Sequence, residues 1–424
     1  MNAFAKYPIG VVICDEQEFA MIIFPAELYE FFNRVIADVD GHMFRHNISP
    51  QSFLKNPNDY TPRVFSACYN ESMAALAEKL DALSKPGWLC EPGKNGAVRC
   101  QACAQRCLIK PGGRGLCQMR YNRDGQLMAP WGYVAGVAVD PIEKKPFMHF
   151  LPGAKALTFG MLGCNFHCDF CQNWISSQAL RDPASAGSGK YIEIATPEGL
   201  VQSAKEAGAE IIASSYNEPL ITTEWAVDIF TVAKREGLRC VYVSNGFATP
   251  EALLALKPVL DGFKVDLKCM TDEKYRSLGG RLQVVLDTIK FAHELGFWVE
   301  VVTLVIPDFN DSNEELWEMA RTLVNISPDI PWHVTAFYPT YKHLKGEQTS
   351  AEILQRAADI GQEAGLRYVY AGNLPGRVGP LENTTCPKCQ QPLVRRSGYF
   401  VRENRITKEN ACPNCGEKIA GIWH

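Results

Sequence analysis

The sequence predicts an α/β fold, a partial TIM-like (β/α)6 barrel between an N-terminal cysteine-rich segment and a C-terminal zinc ribbon. Two observations predict it. From about residue 155 onward, short apolar runs alternate with amphipathic stretches, as in parallel β/α units. On either side of that region, four cysteines recur at the spacing of metal-binding turns. The predicted domains are an N-terminal extension of unknown role, the cysteine-rich metal-binding segment, the barrel and the ribbon, at residues 1–87, 88–150, 151–374 and 375–424.

The N-terminal extension contains apolar runs, a helix-start pattern at residues 24–32 and a helical stretch near residues 71–84. Asp15, Glu16 and Glu18 interrupt the apolar runs, so neither a signal peptide nor a membrane-spanning helix fits. The formal net charge of -4 predicts no strong attraction to nucleic acid or to an anionic membrane. The sixteen cysteines have the spacing of metal sites rather than of a disulfide framework, so we expect a reducing compartment, the cytoplasm.

The cysteine-rich segment carries a C-x2-C-x3-C-x9-C pattern, formed by Cys100, Cys103, Cys107 and Cys117. Glycines between the last two cysteines allow the chain to return sharply. Four thiolates suit either zinc or a 4Fe–4S cluster. From the sequence we favour zinc at this site. An iron–sulfur cluster here would act as an electron relay or as a docking site for substrate.

The barrel region contains six strand patterns, at residues 156–159, 211–215, 241–244, 262–267, 299–306 and 333–337, and a further one at 368–370. Helical patterns lie between them, near residues 197–207, 223–236, 250–257, 282–296, 312–325 and 350–365. In β/α barrels the carboxyl ends of the strands converge on one rim, which carries the functional groups. Polar residues at these ends are Asn217, Glu218, Asn245, Asp266, Lys268, Glu300, Thr303 and His333. They predict a polar site on that rim.

The loop after the first of these strands holds Cys164, Cys168 and Cys171 in a C-x3-C-x2-C pattern. Soft thiolates suit iron–sulfur clusters, and three of them leave one iron of a 4Fe–4S cluster without a protein ligand. That iron can bind a small molecule, whereas a fully ligated cluster can only transfer electrons. The alternative is a zinc site with three thiolates and His167 as the fourth ligand.

The C-terminal region carries paired C-x2-C knuckles, Cys386 with Cys389 and Cys412 with Cys415. This spacing presents four thiolates tetrahedrally and predicts a structural zinc ribbon with a hairpin over residues 393–407. An electron-transfer iron site of rubredoxin type is the minor alternative, since the same thiolates serve both metals.

Taken together, these motifs resemble the radical S-adenosylmethionine enzymes of the AmmeMemoRadiSam system, which are related to the pyruvate formate-lyase activating enzymes. The resemblance covers roughly residues 88–424. It rests on the two groups of four cysteines, the cluster loop with Gln172-Asn173, and the segments 139–146, 149–153, 216–219, 244–246 and 266–268. The family more often has Thr where Asn217 stands here.

The resemblance implies that Cys164, Cys168 and Cys171 ligate the cluster and that Phe170 lies near the adenine of S-adenosylmethionine. The backbone around Asn217 and Glu218 would receive the methionyl amine, and Asn245 the ribose. Asp266 and Lys268 would engage the ribose or the carboxylate, or else form an internal salt bridge. His333 would contact adenine or substrate, or else be a hydrogen-bonded core residue. For Asp140, Glu143, Lys144 and Lys145 we favour packing over contact with substrate.

The resemblance also implies an oxidoreductase that reductively cleaves S-adenosylmethionine to a 5'-deoxyadenosyl radical, which abstracts hydrogen from a substrate that the sequence does not identify. One alternative within this class is an activase of a glycyl-radical enzyme. An alternative of another class is an iron–sulfur electron carrier or a zinc-ribbon adaptor without enzymatic activity. The implied partners are a reductant such as ferredoxin or flavodoxin and Memo-like proteins.

Overall fold

The computed structural model describes residues 9–13, 19–23 and 73–424. The chain divides into two units, residues 1–62 and 63–424. In the first unit, strands β1 (Ile9–Ile13) and β2 (Phe19–Ile23) pair antiparallel. The predicted helix start at residues 24–32 lies outside the described residues, as does most of the N-terminal extension. The second unit contains every predicted metal-binding cysteine.

The cysteine-rich segment follows a helix, α1 (73–82), and is built from short strands joined by tight turns. These strands are β3 (Ser84–Pro86), β4 (Cys90–Pro92), β5 (Val98–Cys100), β6 (Leu108–Ile109), β7 (Tyr121–Arg123) and β8 (Gln126–Pro130). They form two antiparallel sheets, in the orders β3-β8-β7 and β4-β5-β6. The turns bring cysteines together, since the Cys100 amide donates to the Cys107 carbonyl at 2.9 Å.

The centre of the second unit is an eight-stranded sheet. The strands from residue 133 to residue 372 are β9 (Tyr133–Val134), β10 (Val137–Pro141), β11 (Lys155–Phe159), β12 (Glu193–Ile194), β13 (Ile211–Ser214), β14 (Arg239–Ser244), β15 (Gly262–Asp266), β16 (Trp298–Val305), β17 (Trp332–Ala336) and β18 (Val369–Gly372). The sheet has the order β10-β11-β13-β14-β15-β16-β17-β18, while β9 pairs with β12 outside it. The seven strands from β11 to β18 are mutually parallel and mostly buried, which is why they read as apolar runs.

All seven parallel strands coincide with strand patterns of the sequence, which confirms the α/β class. The sequence missed β10, which pairs antiparallel with β11 at the edge of the sheet. Its Val137 and Val139 are exposed and it ends in Asp140-Pro141. An edge strand tolerates a proline and needs no continuous apolar run, so its pattern is weak.

The helices after α1 are α2 (Trp174–Ser177), α3 (Pro197–Glu206), α4 (Thr223–Arg235), α5 (Pro250–Leu256), α6 (Asp272–Ser277), α7 (Leu282–Glu294), α8 (Asn313–Ile326) and α9 (Ala351–Glu363). Thr196, Thr249, Ser312 and Ser350 cap four of them by accepting from a backbone amide three residues on. The six predicted helices are present. The sequence missed α2 and α6, which are too short to show a period. Short 3-10 helices cover Lys94–Gly96, Ile142–Lys144, Pro183–Tyr191, Pro219–Thr222 and Gly379–Glu382.

The C-terminal region forms a three-stranded antiparallel sheet of β19 (Thr384–Thr385), β20 (Pro392–Ser397) and β21 (Phe400–Asn404). Its cysteines share a buried apolar cluster with Tyr368 and Tyr370 of the main sheet region. Arg396 pairs with Glu143 at 3.3 Å, and both side chains are fully buried. This pair and the apolar cluster fix the ribbon to the sheet. Among the helices of the described residues, none has both the length and the apolar run that a membrane crossing requires.

Candidate active site

A cavity of about 350 Å³ opens at the carboxyl edge of the parallel strands. Its volume is in the range of pockets that bind small molecules. The residues that line it include Lys145, Cys168, Phe170, Cys171, Ser215, Tyr216, Lys264, Asp266, Lys268, Thr335 and Asn373. Most of these lie at or just after the ends of β13, β15, β17 and β18. A cavity therefore lies at the predicted rim, and the cysteine loop forms part of its wall. Of the polar residues predicted there, only Asp266 and Lys268 line it.

The cysteine loop follows β11 and begins at Gly163, whose φ of +90° favours glycine. A Cβ at this position would overlap Met119 of the cysteine-rich segment. Cys168 and Cys171 line the cavity, whereas Cys164 accepts from the Phe166 amide at 3.3 Å. The loop is thus pressed against the cysteine-rich segment on one side and open to the cavity on the other.

Cys168 is buried, whereas Cys164 and Cys171 are half-buried. Burial raises the pKa of Cys168 to about 12, although the nearby Lys268 ammonium lowers it in part. Burial also raises the pKa of Cys164 well above its usual value, and the Glu218 carboxylate adds to the effect. A bound metal cation offsets such a penalty, because it stabilises the thiolate directly. These sites therefore fit thiolate ligands of a metal centre better than free nucleophiles.

The loop thiols are spaced more widely than the thiols of the ribbon. In the ribbon, the sulfur atoms of Cys386 and Cys415 are 3.6 Å apart, as are those of Cys389 and Cys412. These four thiols form the only group of three or more His, Cys, Asp or Glu ligand atoms within 4.8 Å of one another in residues 9–13, 19–23 and 73–424. The three loop thiols are therefore spread more widely than a single zinc ion requires. A 4Fe–4S cluster places several atoms between its thiolates, so the wider spacing fits it.

The zinc alternative at the loop also needs His167 as a ligand. His167 does not line the cavity that contains Cys168 and Cys171. It lines a different cavity, with Asp169, Arg181 and Lys342, and packs against Gly279. The structure gives no support to the three-thiolate zinc site.

Glu218 and Asn245 connect the ends of β13 and β14 to the cysteine loop. The Glu218 carboxylate accepts from the Ser244 hydroxyl at 2.7 Å and from the Asn245 amide at 2.8 Å. Burial raises the pKa of Glu218 to about 7, although these hydrogen bonds lower it in part. Asn245 Nδ2 donates to Asn165 Oδ1 at 2.7 Å and lies 3.9 Å from Cys164 Sγ. Both side chains thus position the loop.

Asn217 lies in the chain just after the end of β13 but does not line the cavity. Its Oδ1 accepts from the Met161 amide at 2.9 Å, and its side chain is 7% exposed. The preceding residue, Tyr216, has a φ of +71° and points its ring into the cavity wall. The segment 215–218 therefore presents Ser215 and Tyr216 to the cavity, while Asn217 and Glu218 brace the backbone behind them.

Asp266 and Lys268 meet at the end of β15, where the sequence predicted them. Asp266 pairs with Lys268 at 3.2 Å and also with Lys264. Burial would raise the pKa of Asp266, but the two ammonium groups hold it at about 2. Lys264 was missed by the sequence analysis. Its signal was present, because a lysine inside the buried run Phe263-Lys264-Val265 must find a partner.

His333 does not reach the cavity. It is 2% exposed, its Nε2 lies 2.7 Å from Glu300, and its ring stacks on Tyr370. The Glu300 carboxylate also accepts from the amides of Met148 and His149, both at 2.9 Å. The prediction of a cofactor contact at His333 therefore finds no support in the geometry, because His333 lies near the amino end of β17, away from the carboxyl edge of the sheet. The hydrogen-bonded core residue, which the sequence left as the alternative, describes its position.

Lys145 and Tyr216 form a second polar group in the cavity. Lys145 Nζ lies 3.2 Å from the Tyr216 hydroxyl and 3.4 Å from Asp140. Burial lowers the pKa of Lys145, although Asp140 partly offsets this. The sequence analysis favoured packing for these charged residues. That holds for Glu143, which pairs with Arg396, but Lys144 and Lys145 line the cavity.

The remaining predicted residues fall into three places. Phe170 is 5% exposed and lines the cavity, with its ring 5.6 Å from Phe309. The four ribbon thiols lie within 4.8 Å of one another, close enough to share one metal centre, and lie outside the cavity. Cys100, Cys103, Cys107 and Cys117 lie in the cysteine-rich segment, outside the cavity, and do not form a group within 4.8 Å in the described part of the chain.

The chain is similar to several known proteins. The family model described as the Radical SAM superfamily matches residues 159–323, the stretch from the end of β11 into α8. The chain is 38% identical over 325 residues to uncharacterized protein MJ0808 of Methanocaldococcus jannaschii, across 76% of this chain and 95% of that protein. It is 28% identical over 243 residues to pyruvate formate-lyase 1-activating enzyme of Escherichia coli strain K12, across 52% of this chain and 93% of that enzyme. A solved domain of pyruvate-formate lyase-activating enzyme from Bacteroides vulgatus aligns at 20% identity with a TM-score of 0.34, over 38% of this chain and 98% of that domain.

Proposed function

We infer the chemistry from one premise: the chain belongs to the radical SAM superfamily, and it is an enzyme. We propose that it is an oxidoreductase that cleaves S-adenosylmethionine reductively at a 4Fe–4S cluster held by Cys164, Cys168 and Cys171. The 5'-deoxyadenosyl radical so formed would abstract hydrogen from a substrate in the same cavity. The observation that carries the proposal is that Cys168 and Cys171 face a cavity of about 350 Å³ at the carboxyl edge of the sheet.

The family implies the 4Fe–4S cluster and S-adenosylmethionine, and the loop fits a cluster by its thiol spacing. The bound cluster would supply one low-potential electron and one iron free to bind a ligand. The chain supplies the rest. Three thiolates hold the cluster, Glu218 and Asn245 fix the loop that carries them, and the buried wall around Phe170 excludes water. Exclusion of water matters because a carbon radical would otherwise react unselectively.

We propose that the charged groups at the end of β15 orient S-adenosylmethionine. Asp266 and Lys268 line the cavity that Cys168 enters, so they can reach a ribose hydroxyl and a carboxylate. Phe170 would contact the adenine, and the backbone at Asn217 and Glu218 would receive the methionyl amine. Asn245 was expected to bind the ribose, but its side chain is already bonded to Asn165, so we propose a positioning role instead.

The substrate would contact the second polar group of the cavity. Lys145 and Tyr216 line the cavity at a place away from the end of β15, and Thr335 and Asn373 complete the wall. The cavity therefore contains several ammonium groups. Lys264 and Lys268 pair with Asp266, whereas Lys145 does not. We propose that Lys145 and Tyr216 bind a polar or anionic group of the substrate.

The second candidate is an activase that places the radical on a glycine of a partner protein. The similarity to the Escherichia coli activating enzyme favours it. The cysteine-rich segment and the ribbon exceed what a minimal activase needs, so the small-molecule or non-glycyl target stays our first proposal. No observation favours a carrier or adaptor without enzymatic activity.

Several finer assignments belong to the same proposal. The sheet order, with β10 and β18 at its two ends, is compatible with a partial (β/α)6 barrel. The ribbon thiols fit zinc because all four lie within 4.8 Å of one another. Radical SAM enzymes need a reductant, and we propose ferredoxin or flavodoxin. Membership of the AmmeMemoRadiSam system and contact with Memo-like proteins rest on the sequence resemblance. The free thiols suit a reducing compartment, which we propose to be the cytoplasm.

The test uses anaerobically reconstituted protein reduced with dithionite. The electron paramagnetic resonance (EPR) spectrum of the cluster is recorded with and without S-adenosylmethionine, and 5'-deoxyadenosine is measured by chromatography. We expect a changed spectrum and product formation, both lost in Cys168→Ala. The matched control is Cys240→Ala, which removes a fully buried thiol of β14 outside every cysteine group and should keep both. A cluster that ignores S-adenosylmethionine and yields no product contradicts the proposal.

The same assay separates the two targets. With added pyruvate formate-lyase, an activase gives a glycyl radical signal in the EPR spectrum. Product formation without that signal favours the small-molecule or non-glycyl target.

A further inference from the structure

We propose that Cys100, Cys103, Cys107 and Cys117 hold a second 4Fe–4S cluster, ligated by four thiolates, which relays electrons to the cluster at Cys164, Cys168 and Cys171. The inference rests on the proposed function, because a relay needs the first cluster as its acceptor. It replaces the zinc ion that the sequence favoured at these cysteines.

Tight turns bring the four cysteines of the segment together. The Cys100 amide donates to the Cys107 carbonyl at 2.9 Å, and the Arg106 amide donates to the Cys103 carbonyl at 3.0 Å. Cys117 lies in the turn that the Gly115 amide closes on the Arg120 carbonyl at 2.8 Å. Backbone amides face the sulfur atoms, as the Leu116 amide does when it donates to Cys107 at 3.4 Å. Amides directed at sulfur are a feature of iron–sulfur ligation, where they tune the reduction potential.

The spacing of these thiols favours a cluster over a single ion. The ribbon of the same chain provides the internal reference, since its four thiols lie within 4.8 Å of one another. In the described part of the chain, neither the four thiols around Cys100 nor the three of the cysteine loop form such a group. Both inner sets are therefore wider than a tetrahedral zinc site, whose metal–sulfur bonds are ~2.3 Å.

Asn165 joins the two cysteine groups. Its Oδ1 lies 3.7 Å from Cys164 Sγ, and its Nδ2 is buried without a hydrogen-bond partner within the described residues. The Asn165 carbonyl also accepts from Gln105 Nε2 at 3.4 Å, and Gln105 lies between Cys103 and Cys107. A buried amide nitrogen without a partner costs free energy, so it points to an acceptor at this junction that a bound cluster would supply.

Two further contacts close the same junction. Arg181 donates to the carbonyls of Leu116 at 2.6 Å and Cys164 at 3.0 Å, so one guanidinium bridges both cysteine groups. Met119, two residues after Cys117, packs against Gly163. The two cysteine groups are therefore joined by direct contacts of the residues that flank them.

The cysteine-rich segment is held rigidly against the main sheet unit, as a relay requires. The Ala104 amide donates to the Phe247 carbonyl at 3.0 Å, and Arg281 donates to the Ala104 carbonyl at 3.0 Å. Arg120 and Glu224 form a buried pair at 2.6 Å between the segment and α4. These contacts fix the distance between the two cysteine groups.

The outer side of the second site is open to a donor. Cys107 is half-buried, and the flanking Leu108 and Leu116 are 53% and 57% exposed. A one-electron carrier of low potential, such as reduced ferredoxin, would dock there. Each electron passes from the carrier to the second cluster, which falls from 2+ to 1+, and then to the first cluster, which does the same. There it reduces the sulfonium of S-adenosylmethionine, and the sulfur–carbon bond breaks to give methionine and the 5'-deoxyadenosyl radical.

Metal content of the reconstituted wild type is the first test. Two 4Fe–4S clusters and one ribbon zinc predict roughly eight iron atoms, eight sulfides and one zinc per chain. Two cluster signals are expected in the reduced protein, and S-adenosylmethionine should change one of them. The other should stay unchanged, because four thiolates leave no open iron. About four iron atoms with two zinc ions would overturn the relay while leaving the proposed function intact.

Variants locate the second cluster. Cys103→Ala and Cys117→Ala should each lower iron to roughly four per chain. Formation of 5'-deoxyadenosine driven by reduced ferredoxin should fall by about tenfold or more, whereas the reaction driven by dithionite, which can reach the first cluster directly, should change by less than about threefold. Cys90→Ala is the matched control. Cys90 lies opposite Cys100 in the β4–β5 pair, but its thiol points to the Gly87 carbonyl, so iron and activity should be retained.

The outcomes separate the two claims. Unchanged iron in both variants, or an equal fall with both reductants, overturns the relay. If neither cluster signal of the wild type responds to S-adenosylmethionine, the proposed function fails, and the relay fails with it for want of an acceptor. If the variants do not fold, the wild-type spectra and metal content still decide.

Discussion

Asn245 Nδ2 donates to Asn165 Oδ1 at 2.7 Å, so the loop after β14 holds the loop that carries Cys164, Cys168 and Cys171. The same nitrogen lies 3.9 Å from Cys164 Sγ. The Asn245 Oδ1 accepts from the Phe247 amide at 3.0 Å, which fixes the orientation of the side-chain amide. Asn245 therefore places a neutral donor beside Cys164, which would be a thiolate in the proposed cluster.

Substitution of Asn245 tests that role. Asn245→Asp puts a carboxylate beside Cys164, and the added negative charge should make the cluster harder to reduce. We expect a more negative midpoint potential and about a tenfold or greater loss of 5'-deoxyadenosine formation, or ~1.4 kcal/mol or more. Asn245→Ala removes the donor without adding charge, so the midpoint potential of the cluster should shift less in this variant. An EPR-monitored redox titration gives the potential, and equal shifts in the two variants would contradict an electrostatic effect.

Asp266 has two open explanations, a ligand of S-adenosylmethionine or an internal salt bridge. Asp266→Asn should raise the dissociation constant for S-adenosylmethionine by about tenfold, ~1.4 kcal/mol, if the carboxylate contacts it. Isothermal titration calorimetry on the reconstituted protein measures this constant.

The chain offers a matched control for that substitution. Asp261 also pairs with two cations, Lys234 at 2.7 Å and Arg239 at 3.0 Å, but it precedes β15 at the opposite edge of the sheet. Asp261→Asn should affect unfolding and leave S-adenosylmethionine binding unchanged. If the two variants lose stability alike and neither changes binding, Asp266 is structural.

The pair of Arg120 and Glu224 should be the strongest single tie between the cysteine-rich segment and the rest of the unit. Two guanidinium nitrogens contact the two carboxylate oxygens at 2.6 Å, and neither side chain is more than 1% exposed. Arg120→Met leaves the Glu224 carboxylate buried without its counter-ion, which should cost about 3–5 kcal/mol in the free energy of unfolding. Denaturant unfolding of the apoprotein measures this cost.

The double variant Arg120→Met, Glu224→Met is the internal check on that cost. It removes both charges and should regain much of the lost stability. A single variant that costs less than about 1 kcal/mol would mean that water reaches the carboxylate.

Much of this fold was accessible from the sequence because its strands are buried on both faces. Such strands show as continuous apolar runs, and the groups at their carboxyl ends follow directly, as Asp266 and Lys268 do. The position of β10 was not accessible, because an edge strand with Asp140 and Pro141 carries no such run. Neither was the contact of Lys145 with Tyr216, since it joins residues 71 positions apart that share no local pattern.

The sequence also could not show where the side chains of two histidines point. His333 and His167 each lie near plausible ligands in sequence, but packing decides their orientation. Glu300 bonds the ring of His333 in the core, and Gly279, which has no side chain, leaves room for His167 outside the cavity. No spacing rule expresses either effect.

His149 provides a prediction about pH. Its Nδ1 donates to the Ala420 carbonyl at 2.6 Å, and its Nε2 accepts from the Tyr370 hydroxyl at 2.6 Å, so the neutral ring is fully bonded. Burial lowers its pKa from 6.5 to about 4, although the Glu300 carboxylate offsets part of this, and Arg396 and His333 add to the lowering. The unfolded chain therefore binds a proton that the folded chain does not. Stability from this group is present above pH 6.5 and is lost as pH falls toward about 4, by up to ~3 kcal/mol.

The wild type alone does not isolate this effect, because Glu218 opposes it. The pKa of Glu218 is raised to about 7 by burial, so its contribution to stability grows as pH falls from about 7 to 4.5. His149→Asn can preserve a donor toward Ala420 and removes the titration, while Glu218 and the ribbon stay the same. The difference in unfolding free energy between wild type and variant, measured by denaturant at several pH values from about 7 to about 4.5, should shrink as pH falls. A difference that is constant over that range would mean that His149 titrates alike in the folded and unfolded chains, and that the ring is open to water.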